Sequence, residues 1–212
     1  PPVRCSPRLS AAQPRQPRAS CQEITRATLI GMDAEAAVAV VHAAQPVESV
    51  LLMRRSRREN DPWSGHWSFP GGRREPHDAD LVDTALRELS EECGFDLSRL
   101  QLQRAFPIRH AGQQMGRLIM VAPFLFRVDE AFAVTPDGVE AEEAIWYPLA
   151  TFRNLASHQP DAVPGLPGGR TMPGIPLHGV PLWGFTYRVL CEWLEVRSEE
   201  HTSEFQSLTN LV

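Results

Sequence analysis

Apolar positions along the chain recur with two different periods, and the change from one to the other marks out the elements. Residues 36–43 (AAVAVVHA) and 49–55 (SVLLMRR) are short apolar runs separated by Gln45-Pro46, and they predict two adjacent strands. From 81 to 92 the apolar residues are Leu81, Val82, Ala85, Leu86 and Leu89, a helical recurrence. Asp78 and Asp80 are candidate N-caps for this helix, and Gly94 is its C-cap. Residues 102–108 and 118–127 read as strands, with Pro123 assigning the second to an edge or a bulge. A closing amphipathic helix is expected over 183–194. The order is mixed α and β, with no internal repeat.

The length of 212 residues fits one domain, or at most two small ones, with a core of its own. No apolar run approaches the roughly 18–20 residues that cross a bilayer, so no membrane partner is expected. With 21 basic and 26 acidic residues the net charge is −5, which disfavours non-specific nucleic-acid binding, a task that needs surplus Lys and Arg. A phosphate-bearing ligand must then be held locally. The 19 prolines are unevenly spread. Pro1, Pro2, Pro7, Pro14 and Pro17 fall in an Arg-rich stretch without acids or aromatics, so residues 1–28 are expected to be a disordered leader. A second cluster runs through residues 160–181 and suggests a stiff irregular loop shaping a pocket rim. Residues 197–207 (RSEEHTSEFQS) resemble the translation of a sequencing-adapter oligonucleotide, and 197–212 is expected to be a non-native tail. Cys5, Cys21, Cys93 and Cys191 show no C-x-x-C spacing. That argues against a zinc site or a disulfide framework and suits Cys93 and Cys191 as buried small hydrophobes in a cytoplasmic protein.

Chemistry concentrates in Phe69-Pro70-Gly71-Gly72 and, fourteen residues on, Arg87-Glu88-Leu89-Ser90-Glu91-Glu92-Cys93-Gly94-Phe95. At about 100° per residue, Glu91 falls near −60° and Glu92 near +40° from Glu88, beside the apolar stripe at about 60–160°. Like charges at these spacings repel by a few tenths of a kcal/mol per pair, so the face calls for a cation. A hard divalent ion, Mg²⁺ or Mn²⁺, suits all-oxygen donors, and the two glycines let the backbone approach it. An E-x-x-E-E run alone is more often a solvated helix face.

The joint pattern resembles the Nudix hydrolase family, whose box is G-x5-E-x7-R-E-U-x-E-E-x-G-U, with U a bulky apolar residue. Gly72, Arg87, Glu88, Leu89, Glu91, Glu92, Gly94 and Phe95 match. Asp78 stands at the box's first Glu, with five residues between it and Gly72, and eight rather than seven residues then precede Arg87. The resemblance implies an α+β fold of α/β/α sandwich type, a mixed sheet flanked by helices, over residues 29–196. It implies metal ligation by Glu88, Glu91, Glu92 and the Gly72 carbonyl, with Arg87 orienting the glutamates. Gly65 to Gly72 and Pro181-Leu182-Trp183-Gly184-Phe185-Thr186 look like elements of the coenzyme A pyrophosphatase branch, although its arginine has no match at Asn60 or Asp61.

The expected function is hydrolysis of the diphosphate of a nucleoside diphosphate linked to another moiety, coenzyme A or a derivative in the first place. ADP-ribose, dinucleotides and nucleoside triphosphates are the alternative substrates, and a silent nucleotide-binding module is the alternative role. Arg54, Arg57 and Arg73, in a cluster with Arg55, Arg58 and Arg74, are candidate substrate cations. Trp63 and Trp67 could stack on an adenine, although a loop Trp more often anchors packing. Glu140, with Glu142 and Glu143 nearby, is the candidate general base. His66, His110 and His158 lack a nucleophilic partner motif and read as surface or turn residues. The expected partner is a small nucleotide, for a monomer or a homodimer.

Overall fold

The computed structural model describes residues 34–59 and 61–196; the expected leader and tail lie outside them. Strand β1 (Ala36–Gln45) organises the rest. Ala37, Ala39, Val41 and Ala43 enter one apolar layer and Val40 the other, as a period of two requires in a sheet covered on both faces. Antiparallel neighbours share one side of β1: β2 (Ser49–Arg55) at one end and β4 (Gly71–Arg73) at the other. On the opposite side β7 (Ile119–Glu130) runs parallel. Both β3 (Trp67–Ser68) and β8 (Ala141–Pro148) pair with β2, while β5 (Leu102–Ala105) and β6 (Arg109–Ala111) pair with β7.

Helix α1 (Leu81–Cys93) covers one face. Leu81, Val82, Ala85, Leu89 and Cys93 are buried against Phe124 and Phe126 of β7. Burial of such side chains is worth roughly 1.5–3 kcal/mol each, which outweighs the few tenths lost to each carboxylate pair on the same helix. Asp80, rather than Asp78, is the N-cap, its Oδ1 accepting from the N–H of Val82 and of Asp83. Gly94 ends the helix at φ 60°. The other face is covered by the short α2 (Leu149–Arg153) and by α3 (Gly184–Trp193), whose Tyr187, Val189, Leu190 and Cys191 pack on Leu52 and Phe69. This is the expected α/β/α sandwich. No helix among the described residues is long and apolar enough to cross a membrane.

Two expectations are corrected, both about proline. Strand β7 is internal, between β1 and β5, and Pro123 sits within it. Its carbonyl accepts from Phe106 N–H at 2.9 Å, so its missing donor faces the gap between β5 and β6, where no ladder bond is required. The proline cluster is not an irregular loop either. It forms an antiparallel sheet of β9 (Gln159–Ala162), β10 (Thr171–Leu177) and β11 (Val180–Trp183). Pro173 opposes Pro160 and Pro176 opposes Pro181. Opposed prolines cannot exchange N–H bonds, so each pair occupies a position where the ladder makes none.

Candidate active site

The sheet and α1 meet at β4. A Cβ on Gly71 would lie 2.3 Å from the Ala37 carbonyl oxygen, and one on Gly72 would lie 2.3 Å from Glu88 Oε1. At 71 only glycine fits against the backbone of β1, whereas a side chain at 72 would displace the Glu88 carboxylate. Along that face exposure follows the helical angles. Glu91 has 59% of its side chain exposed and Glu88 12%, whereas Glu92, nearest the apolar stripe, is 2% exposed as a residue.

Arg87 gathers the acids. Its Nε and Nη2 donate to the two oxygens of Asp78 at 3.0 and 3.1 Å, and Nη2 also donates to the Arg73 carbonyl. Nη1 donates to Glu88 Oε1 at 3.0 Å and Glu91 Oε2 at 2.9 Å. The guanidinium thus touches both Glu88 and Glu91, with Asp78 as its anchor. Asp78 also accepts from Thr84 Oγ1 and Glu75 N–H, both at 2.9 Å. The guanidinium contact, reinforced by these donors, holds its carboxyl far below the usual carboxylate range. Bonding to Asp78, together with Glu88 and Glu91, raises Arg87 in turn.

Glu88 and Glu92 go the other way. Burial raises Glu88 despite the opposing charge of Arg87, and burial pushes Glu92 up to about 8 although Gly71 N–H donates to its Oε2 at 2.8 Å. The second Glu92 oxygen, Oε1, is buried and has no hydrogen-bond partner. Among the described residues no three His, Cys, Asp or Glu side chains are gathered closely enough to hold a metal as they stand. The expected ligand set is therefore not assembled: Arg87 holds Glu88 and Glu91, and Gly71 holds one oxygen of Glu92. Its chemistry nevertheless fits a hard cation, with oxygen donors only, one of them orphaned, beside a glycine strand without Cβ obstruction.

The remaining candidates divide. Glu140 lies just ahead of β8, and its backbone N–H, with those of Val139 and Ala141, donates to the Asp137 carboxylate. Its side chain is half exposed, 3.5 Å from Arg58 Nη2, and its charge contributes to the rise of both Glu88 and Glu92. Arg73 lines a cavity of about 420 Å³ that opens beside Gly71 and Gly72. Arg54 and Arg57 do not line it; Arg54 is tied to Glu142 at 2.7 Å and Glu143 at 3.2 Å. Arg55, expected only as part of the surrounding cluster, does line it and pairs with Asp61 at 3.1 Å. One histidine is corrected: His66 is buried in the cavity wall, its Nε2 on the Pro164 carbonyl. His158 closes the turn at Leu155–Ser157, as a turn residue would, and its ring is held by Tyr187 OH and the Phe152 carbonyl. Both Trp63 and Trp67 line the cavity, but Trp67 is a buried anchor donating to the Leu177 carbonyl, whereas Trp63 is half-buried. Trp183, Gly184, Phe185 and Thr186, from the expected terminal motif, also line it.

The NUDIX domain model matches residues 33–167, which take in β1, the glycine strand, α1 and Glu140. The chain belongs to the Nudix family. Over 104 residues it is 30% identical to the peroxisomal coenzyme A diphosphatase NUDT7 of Mus musculus, covering 49% of this chain and 41% of that one. Over 76 residues it is 40% identical to the mitochondrial coenzyme A diphosphatase NUDT8 of the same organism, covering 35% and 36%. The chain thus spans less than half the length of these two curated relatives. A MutT/nudix family protein from Enterococcus faecalis shares the fold at 17% identity and a TM-score of 0.51, over 74% of this chain and 60% of that one.

Proposed function

We propose that this Nudix protein is a divalent-metal-dependent pyrophosphohydrolase of nucleoside diphosphate derivatives, with coenzyme A or its derivatives as substrate. The observation that carries the proposal is that Gly71-Gly72 and the carboxylate face of α1 meet beside a cavity of ligand size. Glu88, Glu91, Glu92 and the Gly72 carbonyl would hold Mg²⁺ or Mn²⁺. The ion supplies neutralisation of the diphosphate and acidification of a water. Arg87 orients Glu88 and Glu91, and Arg73 and Arg55 present positive charge to the phosphates. Glu140 accepts the proton of the attacking water. Water adds to one phosphorus and the bridging P–O bond breaks, releasing a nucleoside monophosphate and a phosphorylated remainder. For coenzyme A these are 3′,5′-ADP and phosphopantetheine. The cavity-lining stretch at Trp183–Thr186 and the named coenzyme A diphosphatases support this substrate.

One observation favours a second reading with the same chemistry. Arg54, Arg55, Arg58 and Arg73 are each paired with an acid, which leaves less positive charge for the extra 3′-phosphate of coenzyme A. ADP-ribose or a dinucleotide would then be the substrate. The free, buried thiols Cys93 and Cys191 support a reducing compartment, the cytoplasm in this reading.

The test is release of products from coenzyme A, ADP-ribose and dinucleotides with Mg²⁺ or Mn²⁺, in the parent and in Glu91→Gln. Metal-dependent turnover lost in the variant is expected. Undiminished turnover in Glu91→Gln sinks the metal assignment. Preference for ADP-ribose rejects only the substrate, and ligand binding without any turnover makes the chain a binding module.

A further inference from the structure

Of the aromatic side chains around the cavity, Trp63 is held differently from the others. Trp67, Phe69 and Trp183 are buried in apolar clusters, whereas Trp63 is half-buried and belongs to none of them. Its backbone is fixed in a turn, with its N–H donating to Asp61 Oδ1 at 3.0 Å and Ser64 N–H donating to the Asp61 carbonyl. The other Asp61 oxygen takes Arg55 Nη2, so the turn is tied to β2.

The ring is also backed. The Arg117 guanidinium stands 5.6 Å from its centroid. Gly112, at φ 80°, closes the loop 112–117 on itself, its N-terminal carbonyl accepting from Met115 and Arg117. A Cβ at Gly112 would lie 2.7 Å from Trp63 Cζ2 and 2.6 Å from the Arg117 carbonyl oxygen. Residue 112 must therefore be glycine for Trp63 to lie where it does. The held ring contributes to the wall of the cavity that also takes in Gly71, Gly72 and Arg73. A flat π-surface, stiffened from behind and sharing one cavity with the proposed phosphate end, is suited to an aromatic base.

We propose that Trp63, backed by Arg117 and Gly112, is the stacking platform for the purine base of the substrate and sets its preference for purine over pyrimidine nucleotides. The choice of ligand class rests on the nucleotide reading of the site above. A purine presents two fused rings to the indole and a pyrimidine one, so contact area alone favours the larger base. Stacking of a base on an aromatic side chain is worth enough to change affinity by about tenfold or more.

The experiment is calorimetric titration of AMP, CMP and inorganic pyrophosphate into the full chain, with Trp63→Leu, Trp63→Phe and Gly112→Ala compared with the parent. The parent is expected to bind AMP several-fold more tightly than CMP. Trp63→Leu should weaken AMP about tenfold, bring it close to CMP and leave pyrophosphate within about twofold. Trp63→Phe should retain part of the preference, and Gly112→Ala should shift AMP in the same direction as Trp63→Leu. A parent that binds AMP no more tightly than CMP overturns the proposal, as does a Trp63→Leu variant that binds AMP like the parent. Equal loss of pyrophosphate and AMP in both Trp63 variants would assign the residue a structural role and also overturn it. Product release is a separate readout. Hydrolysis without any dependence of base preference on Trp63 sinks this proposal alone, and base preference without hydrolysis sinks the hydrolase reading alone.

Discussion

Asp78→Asn tests whether the anchor of Arg87 is a structural element or a bystander. The carboxylate has 2% of its side chain exposed, and Arg87 has 14%. It accepts four hydrogen bonds of 2.9–3.1 Å, two of them from the guanidinium. Asparagine keeps the shape, removes the charge, and turns one acceptor into an amide that faces a donor. Uncoupling one partner of a buried ion pair costs about 3–5 kcal/mol. Because Arg87 retains Glu88, Glu91 and the Arg73 carbonyl, we take the lower end, about 3 kcal/mol. For a chain of this size each kcal/mol moves Tm by about 2–4 °C, so the melting point should fall by about 6–12 °C at pH 7. The pH dependence has a definite sign. The folded pKa of Asp78 lies below its ordinary value of 3.8, so its contribution is present above that value and is lost as pH falls through the folded pKa. The gap between parent and variant should therefore shrink as the pH drops below about 3.8. Thermal melts and urea titrations from pH 7 downward read this directly. Melting points that coincide at pH 7, or a gap that widens in acid, would refute the reasoning.

Other consequences follow from the same contacts. Gly72→Ala would place a methyl 2.3 Å from Glu88 Oε1, and displacement of that carboxylate should reduce turnover about a hundredfold, read by product release at saturating metal. Gly71→Ala would place its methyl against the rigid Ala37 carbonyl oxygen, so it should lower Tm more than Gly72→Ala does, as calorimetry would show. Glu92 has a folded pKa of about 8 against an ordinary 4.5, so its stabilising contribution is present below 4.5 and is lost as pH rises to 8. Glu92→Gln should then raise the Tm of the metal-free protein above pH 8, by about 5 °C, and should abolish any rise that Mg²⁺ gives the parent. Burial pushes the Cys93 thiol up to about 12 and the Cys191 thiol up to about 11, so both should stay unreactive toward a thiol reagent at pH 8 until the protein is unfolded.

The elements that the pattern of apolar residues located best were those that bury a regular set of their side chains in the core. The run at 36–43 became β1, and the helical recurrence at 81–92 became α1 with its Gly94 cap, because burial acts on each residue separately and leaves its period in the sequence. Proline was harder to place. Its lack of an N–H matters only where a neighbouring strand needs that donor, and sequence does not say where β5 stops short of Pro123. The same ignorance made a loop of the sheet in which Pro160 faces Pro173 and Pro176 faces Pro181. Arg54 and Arg55 are adjacent in sequence and alike in chemistry. Only the position of Glu142 and Glu143 on β8 shows that one is consumed by the sheet edge while the other reaches the cavity. His66 had no signal at all, since the carbonyl that fixes it belongs to Pro164, 98 residues away.

The electrostatics of the carboxylate face show how a helical angle becomes a chemical difference. Glu88, Glu91 and Glu92 are identical residues, and their spacing predicted one shared face, yet the protein does not treat them alike. Glu92 falls next to the apolar stripe, so it is buried and its acidity is suppressed; Glu91 falls away from it and stays in water. Arg87 meets Glu88 and Glu91 through a single nitrogen, Nη1, but meets Asp78 through two, and Asp78 is the most completely buried of the three partners. On the proposed metal reading, a cation entering at this face would compete for Glu88 and Glu91, which the arginine holds with one shared donor, and not for Asp78, which it holds with a fork. The substitution of Asp for the first Glu of the box thus leaves Arg87 anchored from below. On the proposed metal reading, that anchoring would let the guanidinium release its two glutamates without itself leaving the site.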